Sequence, residues 1–347
     1  MFSRFHIISS ANEVTDFVKE GKRYFIYAAE EFDFESLKDE MREYWVGAVF
    51  PMIFYHSTLY VDKAFVCELS DDIHIDIICN DEFEDSCDEC HTYMVFADGL
   101  DNHINSKLEK IFSNTPENAV MFGAGCGKTT MINKNIIYNG KRFTQNAIIS
   151  LKSPKKCAIG VNHGYIAKKD FFVITEASET TIKCIDGQDA FSYYKNYIKK
   201  NFDLEVTQEN LFSIGLKHPF MFECTYGEKI VRIPTTTDGK VLHMVGEINQ
   251  DTIASIGTIN DKDLVNAALK SIVIAKESFI NKPSFCIVYS CLGREKYSHE
   301  NFVKELEAIS GACSNVDVIG ALSIGEIANT SQFNLEFYNS TCVVGVV

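Results

Sequence analysis

The sequence predicts an α/β protein in which mixed β-sheets are flanked by helices and repeated strand–helix–strand–hairpin units form two fused halves. Three observations lead to this fold class. Three segments share one order of apolar and amphipathic stretches. The chain of 347 residues is long enough for two domains. Hydrophobic residues make up 46% of it and charged residues 23%, as is usual for globular proteins.

Each repeated segment begins with an aromatic and aliphatic strand, which reads RYFIYA, TYMVFA or SFCIVYS. A polar loop and an amphipathic helix follow, and the chain then returns as a second strand. Each second strand contains a Gly-Ala pair near its end. These pairs are Gly47-Ala48, Gly123-Ala124 and Gly320-Ala321.

Each unit is then expected to continue through a variable loop into a hairpin. The predicted turns are residues 54–57, 137–140 and 337–340. They contain His, Asn or Gly, which tolerate the positive φ that such turns need. An aliphatic strand follows each turn, KAFVCEL, NAIISL or TCVVGVV.

The connecting segments have predicted elements of their own. Asp186-Gly187 is the turn between two strands, and a helix begins near Asp189. A short amphipathic linker and several strands follow, and a later helix takes Asp261 or Asp263 as its N-cap. The predicted divisions are a lead-in over 1–24, a first half over 25–200, the linker over 201–217 and a second half over 218–347.

The composition disfavours several classes of partner. The net charge of −15 repels phosphate backbones and anionic lipid, so neither nucleic acid nor a membrane surface is expected as a partner. No apolar run reaches the ~18 residues of a membrane span, and no signal peptide is recognisable, so a cytoplasmic location is expected. The cysteines are expected to be reduced and mostly buried. Those in apolar strands include Cys67, Cys79, Cys157, Cys286 and Cys342.

The stretch FGAGCGKTT is similar to a nucleotide-binding phosphate loop. With Lys128 and Thr129 in their motif positions, the first glycine should stand where the chain has Phe122. A phosphate loop opens into a helix, whereas Asn139-Gly140 signals a hairpin here. The sequence therefore predicts a glycine-rich connection between strands and no site for ATP or GTP.

Several motifs occur in an order that resembles the FIST sensory domain, a bacterial module with an N-terminal and a C-terminal half. The resemblance covers roughly residues 25–345. Two departures are Lys128, where the family usually has an acidic residue after glycine, and Tyr165 in place of a tryptophan. The matching motifs are FADGL at 96–100, the glycine loop at 123–127, HGY at 163–165, DGQDA at 186–190, YSCLGR at 289–294, the segment 320–327 and NST at 339–341.

The resemblance implies an intracellular sensor that binds a small molecule, with amino acids as candidates. It also implies a signalling partner such as a histidine kinase, a chemoreceptor or a cyclic-di-nucleotide enzyme, reached in trans because no output segment is recognisable. No cofactor is expected. One alternative is a haem-binding nitric oxide sensor, a role that some FIST-like proteins are thought to have. The other is an enzyme on the same scaffold, although no catalytic triad order is apparent.

The candidate ligand site lies where the loops of the third unit converge. Arg294 and Glu326 carry opposite charges in polar loops and could hold the carboxylate and the amine of a zwitterion. A structural salt bridge between them is the alternative. Gly325, Cys291 and Asn339 belong to the same loops and complete the candidate set.

Two further features could carry chemistry. His163 lies in an Asn-His-Gly loop and is a candidate ligand or haem contact, with a structural hydrogen bond as the alternative. The stretch CDECH at 87–91 matches the c-type haem pattern. With Cys79 it could also form a Cys₃His zinc site from Cys87, Cys90 and His91. The preferred interpretation of this stretch is an acidic surface loop without metal.

Overall fold

The computed structural model describes residues 1–16, 18–37, 45–79, 87, 89–132, 136–223, 229–313, 316–330 and 334–347. These residues form several mixed sheets and a set of helices, which confirms the predicted α/β class. None of the described helices is long and apolar enough to cross a membrane. The helices are α1 Ile104–Ser113, α2 Ala190–Phe202, α3 Leu211–Lys217, α4 Asp261–Ser278, α5 Leu292–Ser298 and α6 Phe302–Ala312.

The strands are short and mostly buried. The strands that begin before residue 150 are β1 Phe2–Ile8, β2 Tyr24–Ala29, β3 Trp45–Phe50, β4 Met52–Tyr55, β5 Thr58–Tyr60, β6 Ala64–Leu69, β7 His74–Ile78, β8 Thr92–Asp98, β9 Val120–Cys126, β10 Ile137–Tyr138, β11 Phe143–Thr144 and β12 Ile148–Ser153. The later strands are β13 Ala158–Asn162, β14 Ile166–Ala167, β15 Phe172–Ser178, β16 Thr181–Ile185, β17 Gln188–Asp189, β18 Phe220–Phe222, β19 Ile230–Arg232, β20 Pro234–Thr236, β21 Leu242–Met244, β22 Thr252–Thr258, β23 Phe285–Cys291, β24 Asp317–Ser323, β25 Glu326–Ala328, β26 Glu336–Tyr338 and β27 Cys342–Val346.

Three of the sheets have six strands each and share one strand order. That order is an edge strand, a returning strand, a parallel pair and a hairpin. The sheets run β1-β6-β2-β3-β10-β11, β7-β12-β8-β9-β25-β26 and β13-β27-β23-β24-β4-β5. Each hairpin extends a parallel pair from another part of the chain, because β10 joins β3, β25 joins β9 and β4 joins β24. Exchanged hairpins therefore link the three sheets in a ring.

The Gly-Ala pairs lie where these hairpins join. Gly123 on β9 pairs with Ile327, and a Cβ at Gly123 would overlap the backbone of Val95. Gly320 on β24 pairs with Phe54, and a Cβ there would overlap the Phe54 ring. Glycine at these positions lets the neighbouring strand and its aromatic side chain approach closely.

An aromatic cluster lies between the three six-stranded sheets. The hydroxyl oxygens of Tyr27 on β2 and Tyr289 on β23 are 2.7 Å apart and fully buried. Phe96 on β8 stacks on Phe25 at 4.3 Å and contacts Tyr289 edge-on. The three parallel pairs therefore meet in one hydrophobic core, which holds the ends of their strands at fixed positions.

The fourth sheet has the order β19-β18-β22-β15-β16-β21-β20, with β14 on β22 and β17 on β16. It is built from strands before residue 200 and after residue 218, as are two of the six-stranded sheets. Helix α2 packs its apolar face on this sheet through Phe191, Tyr194 and Ile198. Strands from the two predicted halves therefore share sheets.

The predicted connecting elements are largely present. Asp186 and Gly187 have positive φ and form the expected turn, and α2 begins after Asp189. The predicted linker contains α3. The N-cap of α4 is Asn260, not Asp261 or Asp263, because the Asn260 side chain accepts from the Asp263 N–H in a capping box.

Two predicted features of the repeated units differ from the structure or lie outside it. The third turn, residues 337–340, does not close a hairpin, because β26 pairs with β25 whereas β27 pairs with β23. The segment 339–341 instead leads from one sheet into another. The predicted helix of the first unit falls largely on residues 38–44, outside the described residues.

Candidate functional site

A small cavity lies at the carboxyl ends of the parallel strands β23 and β24. Cys291 and Ser323 are the last residues of these strands and pair with each other. Ligands of open α/β sheets commonly bind outside the carboxyl ends of parallel strands. The cavity has a volume of about 40 Å³. It is therefore a candidate binding site by position.

The cavity wall is formed by several separate elements. Its polar and glycine residues are Cys291, Gly293, Ser323, Gly325 and Asn339. Thr235 and the apolar side chains of Met131, Phe212, Ile233, Val245, Leu292 and Ile324 complete it. Three of the predicted ligand residues, Cys291, Gly325 and Asn339, are thus brought together in one wall.

Gly325 brings the C-terminal end of β9 against the site. Its φ is +89°, and a Cβ at this position would overlap the ring of Phe337. The Gly125 N–H donates to the Gly325 carbonyl at 2.8 Å, and the Ile324 N–H donates to the Gly125 carbonyl at 2.8 Å. Only glycine fits this close backbone approach.

Arg294 is fully buried behind the cavity and is held by five hydrogen bonds. Its Nε and Nη2 donate to the carboxylate of Glu305 at 3.1 and 2.8 Å. Nη2 also donates to the Leu264 carbonyl at 2.8 Å, and Nη1 donates to the carbonyls of His163 and Ser340 at 3.2 and 3.1 Å. These contacts use all five N–H groups of a guanidinium, so no donor is left for a ligand.

The geometry of Arg294 differs from the sequence expectation. The sequence predicted that Arg294 binds a ligand carboxylate or pairs with Glu326. Its carboxylate partner in the structure is Glu305 on α6. One sequence signal could have identified this partner. Glu305 lies on the same face of α6 as the buried Phe302 and Ile309, and a carboxylate on an apolar face needs a buried cation.

Glu326 is also fully buried, and its carboxyl group is held by Ser323 and Thr341. The Ser323 hydroxyl lies 2.6 Å from Glu326 Oε1, and the Thr341 N–H donates to Oε2 at 3.0 Å. Burial raises the pKa of the Glu326 carboxyl to about 8, although these hydrogen bonds oppose the shift. The group is therefore mainly neutral at pH 7.

The hydrogen bonds of Ser323 agree with a neutral Glu326. The Ser323 Oγ is also within 3.2 Å of the Ser290 carbonyl. A hydroxyl has one hydrogen, so Ser323 can donate to that carbonyl only if the protonated Glu326 donates to Ser323. Burial likewise raises the pKa of the neighbouring Cys291 thiol. Both groups beside the cavity hold their protons.

Asn339 lines the cavity and has a buried amide oxygen. The residue is 2% exposed, and its Nδ2 donates to the Tyr338 carbonyl at 3.1 Å. Its Oδ1 accepts no hydrogen bond from any residue that the structure describes. The surface of the cavity is almost wholly apolar, so this oxygen does not form part of it.

Comparison with protein families divides the chain into two matched segments. Residues 24–188 match the FIST N domain, and residues 190–329 match the FIST C domain. The chain belongs to the FIST family. FIST domains are sensory domains of signal transduction proteins. A search of curated proteins found no match for this FIST chain.

The cavity of this FIST protein draws on both matched segments. Met131 lies in the FIST N segment, whereas Phe212, Cys291 and Gly325 lie in the FIST C segment. Asn339 follows the end of the FIST C match at residue 329. The sequence motifs did not indicate Met131, Phe212 or the apolar wall, because their contribution depends on how distant loops pack together.

His163 lies behind the cavity and is not among the described residues that line it. Its Nδ1 accepts the Tyr165 N–H at 2.8 Å, and its carbonyl accepts from Arg294. Burial, and next the charge of Arg294, lowers the pKa of His163 to about 4. The imidazole is therefore neutral, and these contacts match the structural alternative for this residue.

The stretch that is similar to a phosphate loop is a connection between strands, as predicted. Residues 120–126 form the extended strand β9, and β10 and β11 then form a hairpin in which Gly140 has a φ of +86°. The Thr129 N–H and hydroxyl both donate to the Glu30 carboxylate at 2.6 Å. A carboxylate thus takes the donors that a phosphate would need.

The prediction of a solvated loop around Cys87 and Cys90 is wrong for Cys90, and the prediction of reduced cysteines is wrong for both residues. The two cysteines form a disulfide, and Cys90 is fully buried. The side chain of His74 on β7 lies beside both sulfur atoms, whereas Cys79 and His91 do not belong to this group among the described residues. Asp88 lies outside the described residues.

The other described cysteines are free thiols, as predicted. Cys67, Cys157, Cys286 and Cys342 are buried, and Cys79 is half-buried. Burial raises the pKa of the Cys67 and Cys342 thiols, and the hydrogen bond with Cys313, followed by burial, raises the pKa of Cys286. A raised thiol pKa favours the protonated, unreactive form.

Proposed function

We propose that this FIST protein is a sensor that binds a small molecule in the cavity at the ends of β23 and β24. The observation that carries the proposal is an apolar cavity at the carboxyl ends of two parallel strands, with a wall that combines residues of several sheets. Removing apolar surface from water is favourable by about 25 cal/mol per Å². A ligand whose apolar group fits this cavity gains that free energy.

The position of the cavity supports a sensory role. Its wall combines Met131 from the loop after β9, Phe212 from α3 and Ile233 beside the fourth sheet. Cys291 and Ser323 come from the six-stranded sheet that contains β23 and β24. A molecule bound there contacts elements of several sheets at once. Binding therefore favours whichever arrangement of these elements makes the better contacts, which is how a ligand shifts a conformational equilibrium.

The protonation states favour binding over catalysis. An activated nucleophile needs a lowered pKa or an adjacent base. Burial instead raises the pKa of Cys291, and the neighbouring Glu326 carboxyl is itself mainly protonated at pH 7. These observations support a sensor rather than an enzyme on the same scaffold.

The residues around His163 do not fit the haem alternative well. The Nδ1 of His163 accepts the Tyr165 N–H, so the neutral ring carries its hydrogen on Nε2 and that nitrogen offers no lone pair to iron. The cavity of about 40 Å³ is also far smaller than the ~300–1,000 Å³ of typical cofactor sites. A small ligand is therefore the better proposal.

The output partner is proposed from the role of the family. We propose that the ligand signal passes in trans, in the cytoplasm, to a histidine kinase, a chemoreceptor or a cyclic-di-nucleotide enzyme. A pull-down with and without the bound ligand would identify a partner whose affinity depends on it. Reciprocity requires that such a partner also change the affinity for the ligand by the same factor.

A thermal-shift screen of small molecules tests the binding proposal. A Cβ at Gly293 would lie 3.1 Å from Leu216 Cδ2 and 3.4 Å from Ile233 Cδ1, so Gly293→Ala narrows the cavity. Gly311→Ala is the matched control, because it is also a helical glycine but has open space around it. The ligand should stabilise wild type and Gly311→Ala by mass action, but not Gly293→Ala.

Two outcomes would contradict the proposal. An equal shift in Gly293→Ala would move the site away from the cavity. A Soret band in the visible spectrum of the purified protein would favour the haem alternative. The spectrum is measured first, because it needs no ligand and no variant.

A further inference from the structure

We propose that Cys87 and Cys90 form a redox-active pair that exchanges with thiols and disulfides of low molecular weight. The two residues form a disulfide, whereas the other described cysteines are free thiols. Neither residue is among those that line the cavity at the ends of β23 and β24. The pair therefore gives the protein a second chemical input that does not depend on the proposed ligand.

The short loop makes this disulfide comparatively easy to reduce. A disulfide stabilises a fold more when it closes a longer loop. Cys87 and Cys90 are separated by only three positions in the chain, so the fold loses less on reduction than it would with a bridge between distant segments. The spacing Cys-x-x-Cys is also the one in which thiols with redox chemistry often occur.

The two sulfur atoms differ in their access to solvent. Cys87 is half-buried. Cys90 is fully buried and packs in a hydrophobic cluster with Ile78 and Tyr93. The rate of thiol exchange depends on which sulfur an incoming thiolate can reach. Cys87 is therefore the residue that is attacked, and Cys90 is the sulfur that leaves.

Reduction of the pair proceeds in two exchange steps. The thiolate of a small thiol attacks Cys87 Sγ, the bond between Cys87 and Cys90 breaks, and Cys90 Sγ leaves with the electron pair and takes up a proton. A second small thiolate attacks the small-molecule sulfur of the mixed disulfide and releases Cys87, which takes up the other proton. The protein disulfide gains two electrons, and two small thiols become one small disulfide. Oxidation is the reverse reaction, with a small disulfide as the oxidant.

His74 on β7 is placed to assist the exchange. A ring nitrogen of this exposed side chain and the two sulfur atoms all lie within 4.8 Å of one another. An imidazole beside a cysteine can stabilise its thiolate. Lys152 lies opposite His74 in the pairing of β12 with β7, but its ammonium group pairs with Asp76. We therefore assign the assisting role to His74.

The backbone holds the two cysteines together without the disulfide. The Cys90 N–H donates to the Cys87 carbonyl at 2.9 Å, and the Tyr93 hydroxyl donates to the same carbonyl at 3.4 Å. Neither contact involves a sulfur atom, so both can persist after reduction. The two thiols then stay adjacent and can form the disulfide again.

Titration with mixtures of reduced and oxidised glutathione tests the proposal. The native protein is equilibrated at each ratio, free thiols are alkylated, and the fraction of disulfide between Cys87 and Cys90 is measured by mass spectrometry. We expect this fraction to change reversibly while the fluorescence of the buried Trp45 stays that of folded protein. A disulfide that glutathione reduces only in urea would be purely structural and would overturn the proposal.

Single cysteine variants test which sulfur is attacked. With oxidised glutathione, Cys87 in Cys90→Ser should form a mixed disulfide at least about tenfold faster than Cys90 does in Cys87→Ser, because only Cys87 is accessible. Equal rates in folded proteins would overturn the assignment of Cys87. If either variant does not fold, the glutathione titration of wild type still decides whether the pair is redox-active.

His74→Ala tests the assisting role. Reduced glutathione should open the disulfide more slowly in this variant than in wild type. His103→Ala is the matched control, because His103 is also exposed and its side chain makes no capping hydrogen bond to α1. Its rate should equal that of wild type. An unchanged rate in His74→Ala would overturn the role of His74.

Discussion

Replacing Arg294 by alanine is expected to destabilise the protein severely instead of merely removing a ligand contact. The substitution leaves the buried carboxylate of Glu305 without its cation and leaves three carbonyls without their donor. Breaking a buried ion pair from one side costs about 3–5 kcal/mol. That is a large part of the ~5–15 kcal/mol that stabilises most folded proteins.

Urea unfolding provides the assay. The single tryptophan, Trp45, is buried in β3 and reports loss of the core by fluorescence. Arg294→Ala should lower the unfolding midpoint strongly or yield no folded protein. Arg294→Met combined with Glu305→Leu should recover part of the loss, because an apolar pair leaves no buried charge. The three carbonyls that Arg294 satisfied remain without a donor in this variant, so the recovery is incomplete.

Lys199→Ala is the control for Arg294→Ala, because Lys199 forms ion pairs with the exposed Asp203 and Glu205. Exposed pairs contribute little, so its midpoint should stay close to wild type. The reasoning is refuted if Arg294→Ala unfolds at the wild-type urea concentration and loses only the response to a ligand. In that case the guanidinium contacts the ligand, as the sequence suggested.

Three further predictions follow from other parts of the molecule. Burial raises the pKa of Glu326 from 4.5 to about 8, so the folded state retains a proton that the unfolded state releases, and stability should fall as the pH rises through this window. Glu326→Gln keeps the neutral hydrogen bonds and should show a smaller fall of the urea midpoint with pH, whereas a pH profile identical to that of wild type would contradict the raised pKa. Replacing Cys87 and Cys90 by Ser removes the disulfide and the short loop that it closes, so the unfolding free energy should fall by about 2 kcal/mol while the metal content stays unchanged. Stoichiometric zinc in wild type that is lost in the double variant would contradict the expectation that no metal is bound. Lys128→Ala should leave the protein without a response to ATP or GTP in a thermal-shift assay, as in wild type, and nucleotide binding that depends on Lys128 would refute the interpretation of residues 122–130.

The sequence contained most of the local structure but not the pairing of hairpins. Alternating apolar strands, amphipathic helices and Gly-containing turns are local patterns, so the elements around Gly123 and Asp189 could be predicted. The exchange of β4, β10 and β25 between sheets could not, because it depends on contacts between residues far apart in the chain. The same limit explains the third turn, where Asn339 looked like part of a hairpin.

The candidate site was predicted in part. Motif order indicated Cys291, Gly325 and Asn339, and the structure places all three in one cavity wall. Formal charge alone suggested Arg294 and Glu326 as ligand partners. The apolar face of α6 indicates that Glu305 needs a buried cation, but the sequence does not identify Arg294 as that cation. It also does not show that Glu326 is buried, and burial is the main cause of its raised pKa.

A crystal structure with the ligand found in the screen is the most direct test of the proposed sensor. We predict ligand density in the cavity at the ends of β23 and β24, with contacts to Gly325 and Cys291. Density beside His163, or at any site with this cavity unchanged, would contradict the proposal.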